Sequence, residues 1–412
     1  MTRIHQRQFT ALFFAISLAV ISLNALAQSD TPDYASYRVI DVQEFEELYA
    51  GSARSSAALA PSGDLFVNVT RDGELCVYLL EASWRRAGCR SLGGVSIDGN
   101  GLLISPDGRW AVLPTFEDAV QSFRDTDIQM INLAAGAPIN LTDDGYEGGI
   151  PLSPRSVLPR DANIDIAPVW LSDQQIAFLR YAADPSGADE GRGILPASIY
   201  TIEISASGAS SEAEELIALG FDPFIATYAL TASRDGARFA FNRISRDENM
   251  GIWEVDSTSG ERRQLLQIDQ APAVPSFLSY SADSRYLLFT ANDPALPAPA
   301  FRVLDVETGE LIAVDPPAPQ RSDSAGGAAP LISAAGWSPR GSALVYAVVS
   351  QANPELEGLY LSPQPGEPGR MILEGRFYAT TCCANTTLQW GANDVILVGR
   401  GGQPGLLLIQ VG

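Results

Sequence analysis

Lysine is absent from this 412-residue chain, and its one histidine is His5. If the first 27 residues leave as a leader, no imidazole and no side-chain primary amine remains. That excludes a histidine general base, Ser-His-Asp and Cys-His arrangements, a histidine metal ligand and a Schiff-base lysine. Carboxylate, tyrosine and thiol chemistry stay open, as does a calcium site built from oxygen ligands. Beyond the opening segment no apolar run is long enough for a transmembrane helix. Cysteines number only four.

Residues 1–27 read as a signal peptide. Arg3 and Arg7 supply its charge, Ala11 to Leu23 its apolar stretch, and Ala25-Leu26-Ala27 a small-residue cleavage site before Gln28. Residues 28–35 follow as a linker, and the expected destination is the periplasm or the exterior. Without the leader, 25 arginines face 49 acids, a net charge near −24. Such a surface repels nucleic acid and anionic lipid at long range and names no partner.

What the chain does contain is a short pattern in seven copies, a tight polar turn followed by an alternating apolar strand. It reads Ala60-Pro61-Ser62-Gly63 before Leu65-Phe66-Val67, and Ser105-Pro106-Asp107-Gly108 before Trp110-Ala111-Val112. It returns at Leu171-Ser172-Asp173, Ser233-Arg234-Asp235-Gly236, Ser281-Ala282-Asp283-Ser284, Ser338-Pro339-Arg340-Gly341 and, weakly, Gly391-Ala392-Asn393. Taken from positions 62, 107, 173, 235, 283, 340 and 393, the steps are 45, 66, 62, 48, 57 and 53. Strand repeats of roughly 40 to 50 residues are the mark of propeller blades.

The expected fold is therefore all-β: a seven-bladed β-propeller of four-stranded antiparallel blades over residues 36–412. The repeats fall near 55–95, 96–142, 164–219, 221–267, 273–315, 330–375 and 376–412. After Trp390 only two further strands fit, while Ser36 to Val42 reads as a strand with no blade of its own. Pairing residues 36–42 with Gly405 to Val411 closes the ring and removes two open sheet edges. Six blades, with the last copy as an appendage, is the alternative count.

The turn at Ser105 to Gly108 with its strand, together with Ser245-Arg246-Asp247-Glu248-Asn249-Met250-Gly251-Ile252-Trp253, resembles the propeller repeats of TolB-like proteins. The resemblance covers roughly residues 55 to 412. It implies a periplasmic or extracellular, WD40-like propeller that binds other proteins or ligands. TolB carries an α/β domain before its propeller, whereas here only some thirty residues lie between the leader and the first repeat, so TolB's partners do not carry over.

Four cysteines in an exported protein suggest disulfides. Cys76 and Cys89 fall in the third and fourth strands of the first repeat, where a hairpin places α-carbons about 4.5 to 5.5 Å apart, so a bridge is expected. Cys382 and Cys383 are a candidate vicinal pair leading into an inner strand over Thr387 to Trp390. Asp125-Thr126-Asp127 and Asp143-Asp144-Gly145 could hold calcium but lack the spacing of a dedicated loop, and turn formation is the simpler use. No cofactor or metal is indicated.

In a four-stranded meander the first-to-second and third-to-fourth turns share one face of the ring. The other two connections share the opposite face. Here the first set is short and the second long: Thr115 to Asp127, Asp143 to Asn163, Tyr181 to Ala197, Asn292 to Ala300, and Pro316 to Pro330. Binding residues concentrate in such loops. Phe116, Phe123, Arg124, Tyr146, Tyr181, Arg192 and Arg321 are the aromatic and arginine anchors available there. The leading expectation is a non-enzymatic propeller that binds a protein or peptide on the long-loop face. The alternative is a carboxylate-based carbohydrate hydrolase at the channel mouth.

Overall fold

The recurrent turn closes on itself chemically. The hydroxyls of Ser105, Ser233 and Ser281 each donate to the aspartate two residues on, at 2.6, 2.6 and 2.5 Å. Each hydroxyl oxygen also accepts the amide five residues on, from Trp110, Arg238 and Tyr286 at 3.0, 2.9 and 3.0 Å. The aspartates in turn accept the amides of Arg109, Ala237 and Arg285, each at 3.1 Å. A Ser-x-Asp triplet so arranged satisfies the turn and launches the next strand.

A computed structural model describes residues 32–48, 56–70, 72–81, 83–92, 96–97, 102–116, 123–124, 126–145, 149–150, 163–182, 197–208, 210–219, 229–243, 250–268, 277–291, 300–317, 329–380, 388–401 and 405–412. Apart from the two-stranded pair Phe123–Arg124 with Gly149–Ile150, the described strands group into seven meanders, the last joined by the N-terminal strand Val39–Phe45. Four are separate four-stranded sheets. The first runs Ser56–Leu59, Leu65–Val69, Glu74–Leu80, Trp84–Ser91, and the fourth Leu230–Ala232, Arg238–Arg243, Gly251–Asp256, Arg262–Gln267. The fifth runs Leu278–Tyr280, Tyr286–Ala291, Ala300–Asp305, Leu311–Ala313, and the sixth Leu331–Trp337, Leu344–Val349, Gly358–Ser362, Arg370–Glu374.

The second and third meanders share one sheet, joined by a single parallel pair, Thr126 with Ile164. In the second, Ser96–Ile97 and Leu103–Ile104 both pair with Trp110–Phe116, which pairs with Thr126–Asn132 and through it Ile139–Asn140. The third runs Asn163–Ser172, Gln175–Ala182, Ser198–Glu203, Glu214–Ala218. The seventh also has a split inner strand, Phe377–Tyr378 and Gln389–Trp390, both pairing with Val395–Arg400. The inner strand expected over 387–390 is therefore shorter, and Cys382 and Cys383, in the interval between its two pieces, lie outside the described residues.

Among the described residues seven apolar clusters hold the meanders together, and each is shared by two neighbours. Val67 and Leu75 of the first meet Ala111 and Leu113 of the second. Val112 and Met130 of the second meet Ile176 and Phe178 of the third. The sequence continues around the ring until Leu397 and Leu408 of the seventh meet Phe66 and Tyr78 of the first. Phe66 and Tyr78 stack at 4.4 Å, with Phe45 edge-on to Phe66 at 5.2 Å. Fully burying one such side chain contributes about 1.5–3 kcal/mol, so each interface matters to the whole. Where the first and seventh meanders touch, a Cβ on Gly391 would lie 2.4 Å from the Gly63 Cα, so the approach requires glycine.

The ring closes through the N-terminal strand, Val39–Phe45. It is antiparallel to Leu406–Val411, with Val42 opposite Ile409 and Phe45 opposite Leu406. It begins three residues later than 36–42, because the residues before it are used differently. Tyr34 packs edge-on against Tyr37 at 5.0 Å and against Trp390 at 5.2 Å, and its hydroxyl donates to the Arg340 carbonyl at 3.0 Å. These rings plug the seventh sheet and leave the ladder to the residues that follow. Arg400 pairs with Glu44 across the closure.

Cys76 and Cys89 sit opposite each other in the ladder and are bridged, with α-carbons 3.9 Å apart, nearer than expected. The bridge closes a 13-residue separation and is worth on the order of 3 kcal/mol in the chain-entropy model. A Cys76→Ser/Cys89→Ser double variant should melt several degrees below the parent in calorimetry. Deleting residues 32–45 should be far more costly, giving a lower, broader transition and association in light scattering, since it bares the Leu406–Val411 edge. A deletion variant that stays monomeric with an unchanged transition would refute the closure role.

Candidate functional site

On the face carrying the long connections, the most elaborate polar arrangement among the described residues lies where the second and third meanders join. Asp165 enters near the start of its strand, Arg180 near the end of the next, and the two are direct partners in register. Asp165 is fully buried, and Arg180 holds both its oxygens at 2.7 Å from Nε and Nη2. The guanidinium lies over the Tyr200 ring at 4.8 Å and the Phe178 ring at 5.4 Å. Tyr200 donates to Glu215 at 3.4 Å.

Of the acids singled out in two separate loops, Asp127, Asp143 and Asp144 converge here, while Asp125 lies outside the described residues. Asp127 accepts from Asn140 Nδ2 at 2.6 Å and Thr142 Oγ1 at 3.2 Å, while Asp144 accepts the Asn163 amide. Asp143 accepts the Gly145 amide at 2.9 Å, a local turn bond. Burial raises the Asp127 carboxyl above its ordinary range, and the charge of Asp144 adds to the rise. Burial also pushes Asp165 up to about 6, against the opposing pull of Arg180. With no exposed surface and both oxygens engaged, Asp165 pins chain segments together; it is not presented to a substrate.

Of the expected binding residues, Tyr181 is placed differently. It is in strand Gln175–Ala182, opposite Ile164, and is buried in the cluster between the third and fourth meanders with Leu230 and Phe239. The strand runs further than its sequence pattern suggested, because an aromatic at this position faces apolar neighbours. Phe116 ends strand Trp110–Phe116, opposite Thr126. Phe123–Arg124 pairs with Gly149–Ile150 in a small two-stranded sheet, so these two expected loop residues are in a strand pair within the long connections. Tyr146, Arg192 and Arg321 lie outside the described residues. The Asp165–Arg180 pair was missed. Its signal was an acid flanked by isoleucines, Asn163-Ile164-Asp165-Ile166, with an arginine closing the apolar strand Ile176 to Leu179.

The Asp165 shift has a definite consequence for pH. A carboxyl whose folded pKa lies above its unfolded value binds its proton more tightly when folded. Its contribution is therefore fully present below about pH 4 and is lost as pH rises through about 6. The stability of the parent relative to Asp165→Asn should fall by on the order of 2–3 kcal/mol between pH 4 and 7. Urea denaturation of both proteins across that range checks it. A gap independent of pH would show that Asp165 stays ionised throughout.

No family model matches the chain, and no curated protein matches it. Among solved structures, the β-propeller domain of Cps50 (Swd1) from Myceliophteria thermophila is similar at 13% identity over 89% of this chain and 99% of that one, with a TM-score of 0.50. TolB from Acinetobacter baumannii matches at 13% identity over 62% of this chain and 52% of that one, with a TM-score of 0.38. With the sheets described above, the first likeness shows the fold: this chain is a β-propeller.

Proposed function

We propose that the chain is an exported, seven-bladed, non-enzymatic propeller that captures a protein or peptide partner on its long-loop face. The asymmetry of the two faces carries this reading. On one face the turns are spent on themselves, as at Ser233, Asp235 and Arg238, or at Asp256, which accepts the Ser259 amide at 2.7 Å. These bonds hold both carboxyls below the usual range: the Ser233 hydroxyl leads at Asp235, the Ser259 amide at Asp256. On the other face the connections are long in sequence; Asp165 and Arg180 pair near the strand ends where two of them begin or end, and Phe123–Arg124 is held in its strand pair. Long loops on a rigid frame suit recognition. The fully buried Asp165 carboxylate, committed to Arg180, lends the hydrolase alternative no support, and the binding reading requires no cofactor.

Export agrees with the leader pattern and with the bridged Cys76–Cys89 pair. Mature protein from an expressing bacterium should begin at Gln28 by N-terminal sequencing and be released with the periplasmic fraction. A mature chain retaining Met1 in the cytoplasm would remove export from the reading.

A photo-crosslinking residue at Arg124 should trap a discrete partner in vivo, whereas the same residue at Ser257, in a short turn, should trap none. Phe123→Ala/Arg124→Ala should abolish capture without moving the melting temperature. Equal trapping from both positions would contradict the choice of face. Glycoside turnover by the purified protein, lost on one Asp or Glu substitution, would contradict the non-enzymatic reading.

A further inference from the structure

A groove of about 290 Å³ opens on the rim of the ring between the fifth and sixth meanders. One wall is Val314 to Pro317, which follows strand Leu311–Ala313, and the other is Pro365 to Gly369, the third-to-fourth turn of the sixth meander. Tyr346 and Leu344 line its base.

Two properties distinguish it. Its walls are preformed: Pro316, Pro317, Pro365 and Pro368 fix the backbone on both sides, and the Ser362 hydroxyl donates to the carbonyls of Gln364 at 2.7 Å and Glu367 at 2.9 Å. Gly369 leaves room for the buried Tyr346, whose hydroxyl oxygen would be 2.2 Å from a Cβ there. Its charge is one-sided: Asp315 and Glu367 both line it and both are exposed. Among the described residues neither forms an ion pair, although arginines pair with Asp165, Glu254, Asp305, Glu357 and Asp394 elsewhere. Burial pushes the Tyr346 phenol up to about 12, and the charge of Asp315 adds to the rise, which places that carboxylate's field on the groove base.

We propose that this groove binds a basic side chain of an extended partner segment. The aliphatic stem lies along the prolines and the cationic head sits between Asp315 and Glu367. Long basic side chains have the required form, an apolar stem ending in a charge. The groove is smaller than most drug-sized sites, which suits one side chain and not a whole peptide. The inference is independent of the long-loop reading, because its residues and its probe differ from those used there.

The test uses the mature protein and the peptide fluorescein-Gly-Gly-Arg-Gly-Gly-amide, labelled at its N-terminal amine, followed by fluorescence anisotropy at low salt. The same peptide with citrulline in place of arginine keeps the shape and removes the charge. Arginine peptide should bind weakly and more tightly than the citrulline form, and 0.5 M salt should weaken it. Asp315→Asn/Glu367→Gln should reduce its affinity at least fivefold, with the melting temperature unchanged because both side chains are exposed. Glu212→Gln/Glu214→Gln removes the same charge from an exposed site elsewhere and should leave affinity within twofold. Equal binding of the citrulline peptide, equal losses in both double variants, or no loss in Asp315→Asn/Glu367→Gln would each overturn the proposal.

Discussion

Everything in this structure depends on each sheet burying both faces against a neighbour. A twisted antiparallel sheet of four strands cannot satisfy two apolar faces alone. Inner residues such as Val67, Phe178, Phe241, Val303 and Ile396 have almost no exposed surface because the adjoining meander supplies the cover. A linear stack would leave one open face at each end. Closing the stack removes both, and the cluster joining Phe66 and Tyr78 to Leu397 and Leu408 is where that happens. The N-terminal strand then supplies the hydrogen bonds that the last meander would otherwise lack.

Polar chemistry reinforces the same junctions. Arginines do much of this work in a chain with no lysine. Arg262 donates to the Leu219 carbonyl of the preceding meander at 2.7 Å, and Arg90 to the Leu133 carbonyl of the following one at 2.7 Å. Glu254, nearly buried, accepts from Arg263 and from the Tyr280 hydroxyl of the next meander at 2.6 Å each, and Arg238 lies 3.3 Å from it. Burial, with the charge of Glu254 behind it, raises the Tyr280 phenol far above its ordinary value. The residue just before each turn has a shared use in three meanders. Tyr280 reaches Glu254, Trp337 Nε1 donates to the Ser279 carbonyl at 2.9 Å, and Trp390 meets Tyr34. The guanidinium's fixed, multidentate donors suit such bridging between backbones.

Much of the frame was legible in the sequence because its signals are local. Ser-x-Asp turns make their bonds within six residues, so Ser105, Ser233 and Ser281 announce their strands directly. The Cys76–Cys89 pairing was legible for the same reason, being a hairpin feature. What was hidden depends on distant contacts. Tyr181 looks like a loop anchor until the fourth meander covers it, and Tyr37 looks like a strand residue and Tyr34 like part of a linker until Trp390 is beside them. Asp127, Asp144 and Asp165 come from three segments, and no spacing rule links them. Only the fold brings them to one junction.

The ring is closed by the strand Val39–Phe45 lying on Leu406–Val411 in one defined register. Hydrogen exchange of the mature protein, read by mass spectrometry at residue resolution, tests it most directly. The paired amides of residues 406–411 should be protected as strongly as those of Val395–Arg400, and the paired amides of 41–45 should exchange with them as one unit. Rapid, independent exchange of residues 39–45, with the 406–411 edge open to solvent, would mean that this strand does not close the ring.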